Sequence, residues 1–480
     1  MMARIPHIKL NKKTKTLLAS LSGIAFVVIG TYVAIQFGKG YRPSREGVAG
    51  TGLLAANSFP PGAEVYIDGK LSTATDDTLN LPPSEYEVEL KKLGYLPWKK
   101  RLTVLEQLVT QTNAELFRAV PSLSPLTLSG ATNLKPSPNG QKIAYAVASA
   151  SAQAKNGLYI VDLTESNFPG TTTPQPTQIA KNVNGFDFTN ANLLWSPDSN
   201  QLLVSFGSDS TNIFLLEANT LNQLDELPDV SVRLSVILSE WEEEIAIRET
   251  KQFALLPEPM QLIATASAKN VYFSPNEEKM FYTATASAAI PEGIIPPLPA
   301  SNTQPQERTL KVGTLYVYDL KEDRNFAISE TLEPTPEQSN KPTSEKEAEI
   351  ATAKQLLLLS NYTEPNDSAS ISALTQTNSG PFNALQAEDN LLQTFANFES
   401  HYSSLFVSDF QWYPNSNHLL SRGTDRIDLV EYDNTNRIAL YAGPFSSGFV
   451  YPWPDGRKLV IVTNLNAALS LPNLYTVDVK

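Results

Sequence analysis

Apolar positions along this sequence are concentrated in short runs, each of which follows a recurring polar turn. The turn contains Pro followed by Asp or Asn, and its copies lie at 136–145, 195–205, 273–282, 412–420 and 452–461. Proline presets φ at the second turn position, and Asp or Asn tolerates the conformation of the third. The apolar, β-branched run after each turn is typical of a buried strand. Repetition of this unit indicates a radial β architecture.

A second apolar strand, close to the form Leu-Tyr-x-x-Asp-Leu, follows each turn strand. These second strands are predicted at 158–163, 213–218, 315–320, 427–432 and 474–479. Turn and second strand together resemble the blades of TolB-type β-propellers, over about 360 residues from Ser122. Ser199, Glu277 and Ser416 replace the turn Gly of that pattern. The Gly-His and Trp-Asp pairs of WD-type propellers are missing. The resemblance implies a propeller over 122–480.

The spacing of the motif prolines leaves the number of blades at five or six. Pro414 and Pro454 are 40 residues apart, which is about one blade, whereas Pro275 and Pro414 are 139 apart. The longer interval must hold insertions and has room for a degenerate sixth blade. Because the chain ends on a second repeat strand, we expect a strand near 123–128 to complete the last blade and close the ring.

Three insertions are predicted within the propeller, at 231–264, 290–311 and 330–400. In the first, apolar residues recur on one face of a helix, and Pro257 and Pro259 end it. This face includes Leu234, Ile237, Leu238, Trp241, Ile245 and Arg248. This face packs on the side of the propeller or, alternatively, binds a partner protein. The second insertion is predicted to be an extended loop, and the third a disordered start followed by helices at 345–359 and 384–398.

The N-terminus predicts a membrane anchor. Residues 17–37 are mostly apolar and carry no charge. As a helix rising about 1.5 Å per residue, this segment is long enough to span the hydrocarbon core of a membrane. Five basic residues precede the stretch and three follow it, so residues 1–16 should stay in the cytoplasm and the bulk of the chain outside it. Residues 38–51 are then a linker. The alternative is a cleaved signal peptide, for which the apolar stretch is long.

A small β-sandwich is predicted over 52–118. Pro60-Pro61-Gly62 opens a strand with alternating Val65 and Ile67, and Asp68-Gly69 is a strong hairpin turn. The segments Val-Tyr-Ile-Asp-Gly-Lys, Leu-Pro-Pro-x-Glu-Tyr-Glu-Val and Gly94-Tyr95 resemble the PEGA domain of bacterial surface proteins, although Pro61 and Ser84 depart from its pattern. The resemblance implies an envelope-exposed structural or binding module and brings no established chemistry.

Composition and charge narrow the function classes. The chain has no Cys, which excludes disulfides and thiolate metal sites. Eight of the 37 basic residues lie within residues 1–45, which leaves 29 against 50 acidic residues in the remainder, a net charge of −21. A chain that acidic is a poor candidate for nucleic-acid binding, because phosphates require a basic surface.

Candidate chemistry is sparse. The histidines are His7, His401 and His418, and His418 occupies a repeat position that is Lys or Gln in other copies, which predicts a surface turn residue. Asp76-Asp77 and Asn366-Asp367 are interpreted as loop residues, the motif Asp and Asn residues as turn formers rather than Ca²⁺ ligands. Asn361-Tyr362-Thr363 fits a glycosylation sequon, but the resemblances are to bacterial proteins. We therefore predict no catalytic, cofactor-binding or metal-binding residues.

These observations predict a mostly β protein held in the cell membrane by a single N-in span, with a PEGA-like sandwich and a propeller outside the cytoplasm. The function that they favour is a non-enzymatic scaffold that binds an envelope protein or a cell-wall glycan. The alternatives are a ligand sensor or enzyme with a site in the propeller channel, and an inactive relative of propeller peptidases. Converging charged residues and tyrosines in the channel would favour a ligand site, and small or apolar residues the scaffold.

Overall fold

The computed structural model describes residues 12–38, 42–44, 47–164, 174–183, 185–207, 212–296, 298, 302–329, 391–402, 409–465 and 471–480. Side chains are described at 20–35 and from residue 50 onward. The chain divides into two compact units. Unit 1 is 1–92, 97–116 and 298–303, and unit 2 is 93–96, 117–297 and 304–480.

Unit 1 begins with a helix, α1, at Lys12–Gly38. Its described side chains are exposed, and those of Phe26 and Ile29 are more than half exposed. Among the residues described here, no helix meets the length and hydropathy needed to cross a membrane. The membrane span predicted at 17–37 therefore has no support from the structure. A short hairpin follows, in which β1 (Arg42–Ser44) pairs with β2 (Gly47–Ala49).

The rest of unit 1 is a set of short strands around a small apolar core. In chain order they are β3 Gly52–Ala56, β4 Ser58–Phe59, β5 Glu64–Ile67, β6 Lys70–Ala74, β7 Asp77–Leu81, β8 Ser84–Lys91, β9 Trp98–Val104, β10 Val109–Gln111 and β11 Ala114–Glu115. The sheets have the orders β10-β3-β7, β6-β5-β8-β9 and β11-β4. Asp68 and Gly69 both adopt positive φ between β5 and β6, as the hairpin prediction requires. Leu54, Val65 and Leu90 are fully buried.

Unit 2 contains five sheets in its described residues, which we number blades 1 to 5 in chain order. Each begins with the strand that enters a motif turn. The strands are β12 Ser122–Pro125; blade 1, β13 Thr132–Pro136, β14 Lys142–Val147, β15 Gly157–Asp162, β16 Thr177–Lys181; blade 2, β17 Asn192–Trp195, β18 Gln201–Ser205, β19 Ile213–Glu217; blade 3, β20 Ala268–Phe273, β21 Lys279–Ala284, β22 Leu315–Asp319, β23 Arg324–Ser329; blade 4, β24 Phe410–Trp412, β25 His418–Arg422, β26 Arg426–Glu431, β27 Ile438–Ala442; blade 5, β28 Val450–Pro452, β29 Lys458–Thr463, β30 Asn473–Asp478. All five predicted second strands are present, each within a residue of its expected start.

The predicted closure of the ring is confirmed. Strand β12 pairs antiparallel with β30, so blade 5 has the order β12-β30-β29-β28. The hydroxyl of Thr127 accepts from the N–H of Leu474 at 2.9 Å and strengthens the same junction. Buried apolar clusters join blade 5 to blade 1, blade 1 to blade 2, blade 3 to blade 4, and blade 4 to blade 5.

Helices complete the ring between blades 2 and 3. These are α2 (Leu234–Phe253), α3 (Glu258–Ala266) and α4 (Leu391–Glu399). The apolar side chains of α2 and α4 join the core of blade 2, and those of α3 join the core of blade 3. The first insertion thus packs on the propeller, as expected for its apolar face. Pro257 and Pro259 do more than end α2, because they lie at the first turn of α3.

Over the residues that the structure describes, blade 2 has three strands where the other blades have four, and loop residues close its outer edge. The side chain of Asn222 accepts from the N–H of Glu217 at 3.0 Å and donates to its carbonyl at 2.9 Å. At the other end of β19, the N–H of Val230 donates to the carbonyl of Ile213. Burial opposes ionisation of Asp229, but hydrogen bonds from Ser231, Ile213 and Asn212 hold its pKa below the ordinary value. These contacts satisfy the ends of an otherwise open strand edge.

The parts of the second insertion that belong to unit 2 lie against blade 3, and their described residues form no helix or strand. Arg308 anchors it, donating to Asp323 Oδ1 at 2.9 Å, to the Asp323 carbonyl at 2.6 Å and to the Ile290 carbonyl at 3.2 Å. Tyr318 also donates to Asp323 Oδ1. Short 3₁₀ helices at Gln153–Lys155, Phe188–Asn190 and Ser231–Arg233 complete the described elements. The helix predicted at 345–359 lies outside the described residues.

Candidate functional site

The motif turns occupy equivalent places in all five blades. The residue at the turn Gly position has φ between +58° and +75° in every copy, whether it is Gly140, Ser199, Glu277, Ser416 or Gly456. In blades 1 to 3 the motif Ser hydroxyl donates to the Asn or Asp two residues on, at 2.6–2.8 Å. The motif acids and amides therefore form turns, as predicted from the sequence.

Two of the residues that replace the turn Gly link neighbouring blades. The Ser199 hydroxyl of blade 2 accepts from the N–H of Asn139 in blade 1 at 3.1 Å. The Ser416 hydroxyl of blade 4 accepts from the N–H of Asn276 in blade 3, also at 3.1 Å. The departure from Gly thus supplies a hydrogen bond between blades, which a glycine could not provide.

The prediction that His418 is a surface residue is wrong. His418 is 4% exposed, and its ring meets the edge of Phe117 at 5.6 Å between centroids. The equivalent residues Lys142 and Lys279 are also buried, and their Nζ atoms reach acceptors in the next blade, Ser199 O and Asn417 Oδ1. The two lysines thus bind polar groups across a blade junction, whereas the His418 ring contacts Asn415 of its own turn. The sequence pattern showed that this repeat position is polar, but it did not show which residues surround it.

A cavity of about 480 Å³ lies at the end of the ring where the motif turns meet. Turns of blades 1, 3, 4 and 5 contribute Pro138, Pro275, Pro414 and Pro454 to its lining. The first strands of blades 3, 4 and 5 contribute aromatic residues, namely Tyr272, Trp412 and Tyr451. The α2 residues Arg248, Glu249 and Gln252 lie on the side where the helices complete the ring. The volume is within the range of small-molecule sites.

His401, which follows α4, lies beside one of the charged residues of the cavity lining. His401 Nδ1 is 2.7 Å from Glu249 Oε1, and the two side chains are 1% and 14% exposed. Burial raises the pKa of Tyr272, and the Glu249 charge adds to the shift. Burial also raises the pKa of Glu242 on α2. A buried polar pair beside aromatic rings is the kind of site that orients a ligand.

A second cavity, of about 290 Å³, is bounded by the first strands of blades 1, 2 and 5. Its lining includes Lys135, Trp195, Glu399, Tyr402 and Tyr451. Tyr451 lines both cavities. Residues 399–402, which we call the channel segment, supply Glu399 and Tyr402 to this cavity and His401 to the first.

Other candidate residues have structural roles or lie outside the described residues. Asp76 lies in the loop before β7 as predicted, and its Oδ1 accepts from the N–H of Ser58. The loop prediction is wrong for Asp77, which begins β7 and accepts from the Thr73 hydroxyl through Oδ2. In the part of the chain described, no group of three or more His, Cys, Asp or Glu residues is arranged to hold a metal ion. His7, the sequon at 361–363 and Asn366-Asp367 lie outside the described residues.

Sequence comparison identifies the first domain. The model of the PEGA domain family matches residues 51–119. These residues are a PEGA domain. The match confirms the resemblance drawn from Val-Tyr-Ile-Asp-Gly-Lys and its neighbouring segments. The PEGA domain thus accounts for strands β3 to β11 of unit 1, and its match extends into 93–96 and 117–119, which belong to unit 2. No curated protein matches this sequence.

Solved structures similar to this chain include propellers. A TolB from Agrobacterium tumefaciens has 12% identity and a TM-score of 0.18, covering 72% of this chain and 78% of that protein. TolB from Acinetobacter baumannii has 9% identity and a TM-score of 0.20, covering 87% and 63%. An oligogalacturonate lyase in complex with manganese has 8% identity and a TM-score of 0.18, covering 82% and 74%. These scores are low, and the propeller assignment depends on the strand pairing described above.

Proposed function

We propose that this chain is an envelope-associated binding protein whose propeller holds a ligand or partner in the cavity beside the motif turns. The observation that carries the proposal is the cavity lining, in which Arg248, Glu249 and His401 lie beside Tyr272 and Trp412. Charged groups and tyrosines at this place favour a ligand site over a passive scaffold. The expected partner is an envelope protein or a cell-wall glycan, and binding without chemical conversion is the simplest function for the site.

Attachment to the cytoplasmic membrane through α1 is the second part of the proposal. It is supported by the uncharged stretch at 17–37 and by the basic residues before it, which favour a cytoplasmic N-terminus. The exposed apolar side chains of α1 are also costly in water. Cell fractionation tests this part. The full chain should sediment with membranes after a carbonate wash, and a chain starting at residue 50 should not; equal release of both would contradict it.

Photo-cross-linking in intact cells tests the binding proposal. A benzophenone amino acid placed at Gln252 or Glu277, both in the cavity lining, should capture a specific protein or glycan. The matched control is the same residue at Val232, which is 94% exposed and does not line the cavity. Adducts from the two cavity positions alone support the site. Identical adducts from Val232, or none from any position, would contradict it.

A further inference from the structure

The four residues of the channel segment are each held by a different element of the ring. Glu399 Oε1 is 2.5 Å from Nζ of Lys135 in β13 of blade 1. The carbonyl of Ser400 accepts from the hydroxyl of Tyr272 in β20 of blade 3. His401 pairs with Glu249 of α2, as described above. The Tyr402 hydroxyl donates to the carbonyl of Trp195 in β17 of blade 2 at 2.6 Å.

The channel segment continues α4, and α4 is bound through its apolar face. Leu391, Phe395 and Phe398 are buried in the core that includes blade 2 and α2. The Phe398 and Trp241 rings meet edge to face, 6.4 Å between centroids. Apolar residues at i, i+4 and i+7 are the spacing by which a helix binds in an apolar groove. The N–H groups of Ser400, His401 and Tyr402 donate to carbonyls three or four residues back, so the segment is a helical end.

These contacts resemble those of a bound ligand more than those of a repeat strand. The helix belongs to an insertion and to no blade, and its polar anchors converge from blades 1, 2 and 3 and from α2. Burial strongly raises the pKa of Tyr402, so the phenol stays neutral and able to donate at physiological pH. The Glu399 carboxylate pairs with the Lys135 ammonium group, so this position of the helix favours an acidic residue.

We propose that the groove formed by α2 and the first strands of blades 1 to 3 is a recognition site for amphipathic helices, and that α4 is its ligand supplied by the same chain. The site selects a helix with apolar residues at i, i+4 and i+7 whose final turn carries a carboxylate and, three residues later, a tyrosine. A partner polypeptide with that pattern would compete with α4. The inference rests on the proposed binding function, and its groove shares Glu249 and Tyr272 with the lining of the first cavity.

Binding of a peptide to the full chain tests the proposal. The probe is a fluorescein-labelled peptide with the sequence of residues 391–402. The receptor is the triple variant Glu399→Gln, His401→Gln, Tyr402→Phe, which weakens the tethered ligand and leaves the groove unchanged. A tethered ligand has an effective concentration of about millimolar. The peptide should therefore bind the variant at least ~100-fold more tightly than it binds the natural chain, measured by fluorescence anisotropy.

Selectivity supplies the control. A peptide carrying Glu399→Gln should bind the triple variant about 10-fold more weakly than the unchanged peptide, because a charge-assisted pair is lost. Adding Lys135→Met to the receptor should abolish that difference. Equal affinity of the two peptides for the triple variant would overturn the inference, as would no saturation at ~1 mM peptide with a folded variant, judged by circular dichroism.

A measurement on the natural chain covers the case in which the triple variant fails to fold. At ~1 mM, a peptide with a benzophenone in place of Phe398 should cross-link beside Trp241, since those rings are neighbours in the groove. Cross-links that avoid α2 and blade 2 would overturn the proposal. The cavity adducts of the previous section depend on different positions, so either proposal can fail while the other stands.

Discussion

Replacing Lys279 should show that buried charge stabilises the junction between blades 3 and 4. Lys279 Nζ is 3.7 Å from Asp319 Oδ2, both side chains are 6% exposed, and Nζ lies 4.5 Å from the centre of the Tyr432 ring in blade 4. At an effective dielectric constant of ~20, a charge pair at this distance is worth about 4.5 kcal/mol before desolvation is subtracted. Lys279→Met keeps most of the packed volume and removes the charge.

The expected loss in the free energy of unfolding is about 3 kcal/mol, because the Asp319 carboxylate stays buried without its counter-charge. That carboxylate still accepts from the N–H groups of Lys321 and Glu322, which limits the cost. Asp319→Asn should cost somewhat less, and the double variant should recover about 2 kcal/mol relative to the sum of the single changes. Guanidinium unfolding followed by tryptophan fluorescence measures all three variants.

Lys142→Met is the matched control. Lys142 occupies the same repeat position in blade 1, but the strand partner opposite it, Asp162, is exposed. Its Nζ donates to Ser199 O and Asn219 Oδ1, so its replacement removes hydrogen bonds and leaves no buried carboxylate behind. We expect a loss of about 1 kcal/mol. The reasoning is refuted if Lys142→Met costs as much as Lys279→Met, or if the coupling between Lys279 and Asp319 is below ~0.5 kcal/mol.

Three further predictions concern separate parts of unit 2. Arg308→Met should leave the buried Asp323 carboxylate without its counter-charge and lower the free energy of unfolding by about 3 kcal/mol. Limited proteolysis should then show faster cleavage within 290–311, and unchanged cleavage would contradict the prediction. Glu277→Gly should stabilise the chain by about 0.5 kcal/mol by relieving positive φ, whereas Gly140→Ala should destabilise it by about 1 kcal/mol, both measured as shifts in the unfolding midpoint. The pKa of Tyr402 is raised by burial, so its stabilisation is complete below the unfolded value of about pH 10 and is lost as pH rises through the higher folded pKa. Tyr402→Phe should therefore lose less stability than the natural chain between about pH 9 and 11, and an equal loss would contradict the assignment.

Local patterns in the sequence predicted the strands and turns of the propeller well. The Pro-Asp and Pro-Asn turns form because the φ preferences of their residues act within four residues. The conformation of each turn can therefore be predicted from its own sequence. The closing strand was predictable because a ring has no free edge, and β12 pairs with β30 as that rule requires. The hairpin at Asp68-Gly69 follows from the same local chemistry.

Contacts between distant residues explain what the sequence did not reveal. Glu249 and His401 are 152 positions apart, and no periodicity marks either residue as the partner of the other. His418 looked like a surface position because its equivalents are Lys or Gln, whereas its burial depends on Phe117, which precedes the first blade. The β3–β10 and β4–β11 pairs are parallel and join strands from the beginning and the end of the PEGA domain sequence. Neither pair is connected by a hairpin turn that the sequence could predict.

The pairing of Ser122–Pro125 with Asn473–Asp478 completes blade 5, and it also limits the order in which the blades can fold during synthesis. During synthesis, blade 5 cannot form until residues 473–478 have left the ribosome, although its strand β12 emerges before every other strand of the propeller. Blades 1 to 4 have all their strands earlier, so they have time to form while the circle is still open. A stalled or truncated chain would therefore present an unpaired β12 and a gap between blades 4 and 1, and it would be the species most exposed to aggregation and proteolysis.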